Sequence, residues 1–479
     1  MTSEVRVRFA PAPTGLLHIG NARTALFNFL FAKRNQGKFV LRIEDTDLER
    51  SNDTSIDRIL EDLEWLGISW DEGPDRDGPV GPYRQSQRMS IYREFADRLS
   101  QEGKSYKCFC SEERLEALRK EQLSKGKMPR YDGHCRSLSS EEIAKMEASG
   151  LHPVLRFHVG RGQILFDDLI HGKMNFDSSG IGDFIIVRSD GMASYNFACV
   201  IDDHSMQITH VIRGEDHLSN TPRQILLYQA LSWQPPFFAH HPLILGPDRS
   251  PLSKRHAATA VSQYREEGFL PEALENYLIL LGWTPLSGQE MLSLEKMAEE
   301  FSIHDVSKSA PVFDRKKLEW LNSVYIRGKE EGPLSEILLP YLQKAGIRTD
   351  QTDRQWLKQV FGVLKENIVV LSQVDEYLGI FFDEKFVFEE GAKTLLRDSA
   401  NRETIRSVLE VTETWPTSGE QTSFLSQLDK KTGRKGKSLY APLRAAVTGK
   451  TKGPELAKTL PLLGKERIIR RLKRALEIT

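Results

Sequence analysis

The stretch V-R-V-R-F-A-P-A-P-T-G-L-L-H-I-G-N-A-R-T-A-L-F-N-F-L-F, residues 5–31, decides the fold. From Val5 to Phe9 apolar and charged side chains alternate with the period of two that suits a strand. Pro11 to Gly15 interrupts the run, and from Ile19 to Phe31 the composition turns helical. A second strand is predicted over Lys38 to Ile43, ending in Glu44 and Asp45. Strand, helix, strand in that order predicts a parallel sheet with right-handed crossovers, the start of a doubly wound, Rossmann-like α/β fold. A helix N-terminus offers free backbone N–H groups and a positive dipole end to an anion. His18 stands at that end, and Gly20 lets a phosphate approach the backbone closely.

Outward from this core the pattern changes near residue 104. A cysteine pair, a charged helix (Glu112 to Gln122), a basic loop and strand-like runs at 154–159 and 183–188 read as an insertion. Strand-type sequence over Tyr195 to Ile201 and Ile208 to Arg213, then a helix from Thr221 to Leu231, predicts that the sheet closes there. Beyond residue 250 the chain is mainly helical. Pro271 and Gly282 bracket one helix, and Trp356, Val360, Leu364, Ile368, Leu371 and Leu378 form a long amphipathic stripe that reads as core.

A chain of 479 residues exceeds what one core usually serves, so several domains are expected. With 39% hydrophobic and 28% charged residues, the composition is that of a soluble globular protein. No cleavable leader pattern and no run of ~18 apolar residues is visible, which predicts a cytoplasmic, non-membrane protein. Four cysteines are too few for a disulfide scaffold and suit reduced thiols. Net charge is −1, but Lys430 to Lys452 carries many bases and no acid, as expected of a surface that approaches phosphates or of a solvated loop.

Arg8 to Asn21, R-F-A-P-A-P-T-G-L-L-H-I-G-N, resembles the HIGH signature of class I aminoacyl-tRNA synthetases in the version of bacterial-type glutamyl-tRNA synthetases. The similarity continues in order through R-I-E-D-T-D (42–47), Y-N-F-A-C-V-I-D-D-H (195–204), V-I-R-G-E-D-H (211–217) and L-S-K-R-H (252–256). It extends through L-P-E-A-L-E-N-Y-L-I-L-L-G-W (270–283), F-D-R-K-K-L-E-W-L-N (313–322), G-P-E-L (453–456) and L-L-G-K-E-R (462–467). The resemblance implies a ligase that activates L-glutamate with ATP and Mg2+ and transfers it to tRNA(Glu), with tRNA(Gln) left open as a second acceptor. It also implies a monomer that needs tRNA for the activation step.

On that resemblance His18, Gly20 and Lys254 are the catalytic candidates, and Pro11, Gly15, Asn21, Leu252, Ser253 and Arg255 join them around ATP. Arg8, Ala10, Glu44, Tyr195, Cys199 and Arg213 are the glutamate-site candidates, with the arginines facing the substrate carboxylate and Glu44 its ammonium. Arg8, Glu44, Tyr195 and Arg213 are all expected at strand ends. Pro251 stands where lysine is usual, Ala257 where glycine is common, Ala12 where serine is common and Cys199 where asparagine is frequent. Pro251 leaves an inactive or tRNA-binding regulatory paralogue as the alternative reading.

Cys108, Cys110 and Cys135 supply three thiols of a zinc site, which needs a fourth ligand. In related sequences that ligand is a histidine two residues after the last cysteine, here Ser137, or a tyrosine four before it, here Tyr131. Tyr131 is the expected ligand, with His134 a further candidate. The resemblance divides the chain into a catalytic domain (1–103 and 192–246), an inserted acceptor-end domain (104–191), a stem-contact connecting domain (247–325) and an all-α anticodon-binding region (326–479) with a possible division near 385.

Overall fold

The computed structural model describes residues 4–47, 52–253, 255, 258–414 and 421–479. Lys254 and His256 of the L-S-K-R-H motif lie outside the described residues, as does Ala257. The chain divides into two compact units, Met1–Tyr264 with Leu274–Asp314, and Arg265–Ala273 with Arg315–Thr479.

Nine strands occur among the described residues of the first unit: β1 (Arg6–Phe9), β2 (Lys38–Leu41), β3 (Ser105–Cys108), β4 (Val154–Phe157), β5 (Gln163–Asp168), β6 (Gly172–Asp177), β7 (Phe184–Val187), β8 (His210–Gly214) and β9 (Phe237–His241). β1 pairs in parallel with β2, and β9 pairs in parallel with both β8 and β5, while β6 is antiparallel to β5. The two groups meet where Thr209 N–H donates to the Arg6 carbonyl. β3, β4 and β7 form a separate antiparallel sheet in the inserted region. β1 is buried on both faces although Arg6 and Arg8 occupy one of them, so those charges are paired inside the fold. Helix Ile19–Arg34 buries Ala22, Leu26, Phe27 and Leu30, and Lys33 with Arg34 complements the dipole in its last turn.

One expected strand is a helix. Tyr195–Ser205 starts behind an extended Ser194 and buries Phe197, Ala198, Val200 and Ile201. A short apolar run fits a buried strand or a buried helix equally well, so periodicity does not separate them. Tyr195 therefore enters the site from a helix N-terminus rather than a strand end.

The second unit is helical. One buried cluster runs through Leu334, Leu342, Phe361, Val408, Leu443 and Leu472, with members on both sides of residue 385. The predicted stripe from Trp356 to Leu378 is not one helix: Arg354–Leu364 stops, a 3-10 segment covers Leu371–Tyr377, and Leu378–Phe381 resumes. Its leucines, valine and isoleucine are core, whereas Trp356 is half-buried and donates from its indole to the Leu462 carbonyl at 2.9 Å.

Candidate active site

A cavity of about 660 Å³ opens at the carboxyl ends of β1, β2, β8 and β9, the edge where ligands gather in open parallel sheets. His18, Gly20 and Asn21 line it beside Pro11, and Pro251 and Leu252 line it from the L-S-K-R segment. Arg8, Ala10, Glu44, Tyr195 and Arg213 line the same space. Gly15, Cys199, Ser253 and Arg255 are not among its lining residues.

His18 caps the first helix in an extended conformation, and its Nδ1 accepts the Gly20 N–H at 3.1 Å. Burial lowers its pKa, so the ring is neutral near pH 7. With Nδ1 accepting, the proton sits on Nε2, where it is a hydrogen-bond donor for a phosphate oxygen. Next to it, Thr24 Oγ1 donates to the Gly20 carbonyl at 3.1 Å and meets His241 Nε2 at 2.9 Å. Arg23 Nη2 lies 3.1 Å from His241 Nδ1, and burial brings the Arg23 pKa down to about 9.

Arg213 is 4% exposed and held from several sides. Its Nη2 donates to Thr221 Oγ1 and Gln224 Oε1, both at 2.8 Å, and its Nε donates to His240 Nε2 at 3.1 Å. Nη1 has no partner among the described residues. A buried donor without an acceptor costs on the order of 1–3 kcal/mol, and a ligand carboxylate is the natural group to complete it. The Tyr195 hydroxyl meets His217 Nδ1 at 3.0 Å at the cavity wall.

Arg8 lines the cavity with its guanidinium steadied from one side by Asp203, Nε to Oδ1 at 3.1 Å. Arg42, wholly buried, donates to the same Oδ1 at 2.6 Å and to Glu44 Oε1 at 3.0 Å. Burial opposes the Arg8 charge most strongly, yet the charge and hydrogen bond of Asp203 together with the Cys199 side chain raise the pKa. Burial raises the Glu44 pKa, with Arg42 acting in the opposite direction. Cys199 lies behind the cavity wall, 1% exposed, where burial and then Asp203 push its thiol up to about 12. It is a neutral thiol with Sγ 3.5 Å from Asp203 Oδ2.

The Pro251 segment is a tight hairpin. Gly246 N–H donates to the Ser250 carbonyl at 2.8 Å and Leu252 N–H to the Ile244 carbonyl at 2.9 Å. These bonds use the residues on either side of position 251, so a proline without an N–H fits there. Arg255 is tied to the same hairpin through Asp248 Oδ2 at 3.1 Å and Ser250 Oγ at 2.9 Å.

In the inserted region the three thiols of Cys108, Cys110 and Cys135 lie within 4.8 Å of one another. Tyr131 Oη is 3.4 Å from both Cys108 Sγ and Cys110 Sγ, and Cys110 and Cys135 are 3.5 Å apart. Zinc–sulfur bonds of about 2.3 Å place tetrahedral ligands roughly 3.7 Å apart, so this donor set fits zinc. His134 and Ser137 are exposed. Arg156 lies over the Tyr131 ring at 4.1 Å and Arg114 Nη1 lies 3.6 Å from Cys110 Sγ, positive charge that suits thiolates.

Residues 4–320 match the family described as tRNA synthetases class I (E and Q), catalytic domain, and residues 333–476 match an anticodon binding domain. The chain belongs to the class I tRNA synthetase family. Among curated synthetases it is 51% identical to the glutamate–tRNA ligase of Carboxydothermus hydrogenoformans, over 98% of this chain and 99% of that one. It is 47% identical to the glutamate–tRNA ligase of Heliobacterium modesticaldum, over 99% and 97% respectively. A crystal structure of a glutamate tRNA ligase from Elizabethkingia meningosepticum in complex with its amino acid superposes with a TM-score of 0.89 at 32% identity, covering all of both chains.

Sequence reasoning assigned no role to Arg42, Asp203 or His217. Arg42 and Asp203 stand inside motifs quoted for the synthetase resemblance, but reading 195–201 as a strand hid a helical series. Residues 195, 199 and 203 are four apart and fall on one helix face. That spacing is the signal that links Asp203 to Tyr195 and Cys199.

Proposed function

We propose that this synthetase activates L-glutamate with ATP and transfers the glutamyl group to the 3′ end of tRNA(Glu). One glutamate carboxylate oxygen attacks the α-phosphorus. An O–P bond forms, the bond to the β-phosphate bridging oxygen breaks, and pyrophosphate leaves with the electron pair. A terminal ribose hydroxyl of the tRNA then attacks the adenylate carbonyl and AMP departs. No nucleophilic side chain is required, so the protein acts by positioning and charge stabilisation.

The observation that carries this reading is the partnerless Arg213 Nη1 on a cavity that His18 shares. Arg213 and Tyr195 receive the side-chain carboxylate, and Glu44 receives the ammonium. His18 donates from Nε2 to the triphosphate, Gly20 admits it to the backbone, and Lys254 covers its other side as a point charge. Pro11, Asn21 and Leu252 line the nucleotide end, Gly15, Ser253 and Arg255 shape the two loops that border it, and Mg2+ arrives with ATP as part of the substrate. Ala10 flanks the amino acid. Arg8, steadied by Asp203, faces the substrate carboxylate beside Arg213, and Cys199 packs behind the pocket.

Zinc held by Cys108, Cys110, Cys135 and Tyr131 stabilises the inserted domain, which meets the acceptor end. The helical region reads the anticodon, and the enzyme works as a cytoplasmic monomer. No described helix is long and apolar enough to cross a membrane. Pro251 fits its hairpin without loss of a backbone hydrogen bond, so it is no ground for preferring a binding-only paralogue. Charging assays with purified glutamate and glutamine tRNAs test the assignment. Glutamyl-tRNA should form on tRNA(Glu), and its absence on both tRNAs refutes the reading; product on tRNA(Gln) as well would make the enzyme non-discriminating.

A further inference from the structure

Two buried titratable residues beyond the substrate-contacting set stand in line behind Arg213, His240 against it and Asp168 against His240. Asp168 ends β5 and His240 lies in β9, and both side chains are fully buried. The register of β8 and β9 puts Arg213 opposite His240, so the three residues cross adjacent strands at one end of the sheet. Asp168 Oδ1 accepts the N–H groups of Ile170 at 3.0 Å and His171 at 2.9 Å, and Oδ2 lies 2.6 Å from His240 Nδ1. On the far side of the ring, His240 Nε2 faces Arg213 Nε at 3.1 Å and Thr221 Oγ1 at 3.0 Å.

These partners leave one arrangement of protons. A carboxylate only accepts, so Nδ1 carries the hydrogen; Arg213 Nε only donates, so Nε2 presents its lone pair. We propose that Asp168 and His240 are positioning residues for glutamate: Asp168 fixes the Nδ1-protonated tautomer, and that tautomer holds the Arg213 guanidinium in the plane that grips the substrate carboxylate. Burial, supported by the nearby Arg213 charge, lowers the His240 pKa to about 4 against the opposing pull of Asp168, so the ring stays neutral in the working range. The inference rests on the assignment of Arg213 to the glutamate carboxylate.

Asp168→Asn separates a tautomer effect from a packing effect. The backbone donors of Ile170 and His171 keep the amide oxygen at the Oδ1 position, so the amide NH2 takes the Oδ2 position and faces Nδ1. Nδ1 must then accept, the proton moves to Nε2, and Nε2–H opposes Arg213 Nε–H. Losing a hydrogen bond to a charged group predicts a roughly 10- to 100-fold rise in the KM for glutamate in tRNA-supported ATP–pyrophosphate exchange, with the KM for ATP within about twofold. An unchanged glutamate KM, or equal rises in both constants, overturns the proposal. Should Asp168→Asn fail to fold, His240→Gln, whose amide oxygen can accept from Arg213, is compared with His240→Leu. Gln should retain a lower glutamate KM than Leu, and equal values in the two overturn the role. Arg213→Lys runs in parallel. A wild-type enzyme that does not use glutamate sinks the functional assignment itself, whereas a raised KM in Arg213→Lys with normal Asp168 and His240 variants sinks only the positioning role.

Discussion

Replacing Asp203 with Asn removes one charge from a balanced buried cluster beneath the active site. Arg8, Arg42 and Arg88 face Glu44, Asp202 and Asp203 there, three cations against three anions, with Arg88 Nε 2.6 Å from Asp202 Oδ1. Asparagine matches the shape of Asp203 but leaves a net positive charge where Arg42, Asp202 and position 203 are themselves buried. Breaking a buried pair costs roughly 3–5 kcal/mol, and because the amide oxygen still accepts from one arginine the lower end, about 3 kcal/mol, applies. For a unit of this size that corresponds to a fall in Tm of roughly 5 °C. The Asp203 carboxyl, which burial alone would raise, is held down at about 2 by Arg42 and Arg8. Its folded value lies below its unfolded value, so its contribution is fully present above the ordinary carboxylate range and is lost as pH falls through about 2. The Tm gap between wild type and Asp203→Asn should therefore be flat from about pH 5 to about pH 8 and narrow below about pH 4. Thermal melts across that range decide it. A gap under about 1 °C at neutral pH would refute the account of the cluster as a coupled charge network.

Other perturbations follow from the same geometry. Lys254→Ala and His18→Ala should each lower the exchange rate by on the order of 10²-fold or more, read by isotope exchange into ATP. Protein purified without chelator should carry close to one equivalent of zinc by elemental analysis, and Tyr131→Phe should weaken its retention against a competing chelator; less than about half an equivalent in wild type counts against the site. In the basic stretch, Arg434 is bound to Glu403 Oε2 and the Ala400 carbonyl, both at 3.0 Å, whereas Lys435 and Lys437 are exposed. Lys435→Ala with Lys437→Ala should weaken tRNA binding and flatten its salt dependence by about one unit of slope per lost contact. Affinity unchanged across a salt series would remove these lysines from the interface.

How far the sequence could be read depended on whether a feature was local. The strand, turn and helix over residues 5–31 were legible because alternation, prolines and helical composition succeed one another within one short window. The three thiols were legible as a candidate cluster because donor chemistry and spacing are one-dimensional, whereas Tyr131 entered only through the synthetase resemblance. The helix at Tyr195–Ser205 was not, since an aromatic and apolar run suits either a strand or a helix when both faces are buried. The pairing of Arg8 with Asp203 and the line from Asp168 through His240 to Arg213 were not legible either. They join residues 195, 72 and 27 positions apart: the helix at Tyr195–Ser205 carries Asp203 to Arg8, and the sheet register aligns His240 with Arg213.

Amino-acid-dependent ATP–pyrophosphate exchange by the purified chain, run with glutamate, glutamine and aspartate in the presence and absence of tRNA(Glu), tests the central claim most directly. Exchange should appear with glutamate alone and only when tRNA is added. Exchange driven equally by glutamine, or no exchange with glutamate and tRNA together, would contradict a cavity built to bring a carboxylate side chain and a triphosphate into contact.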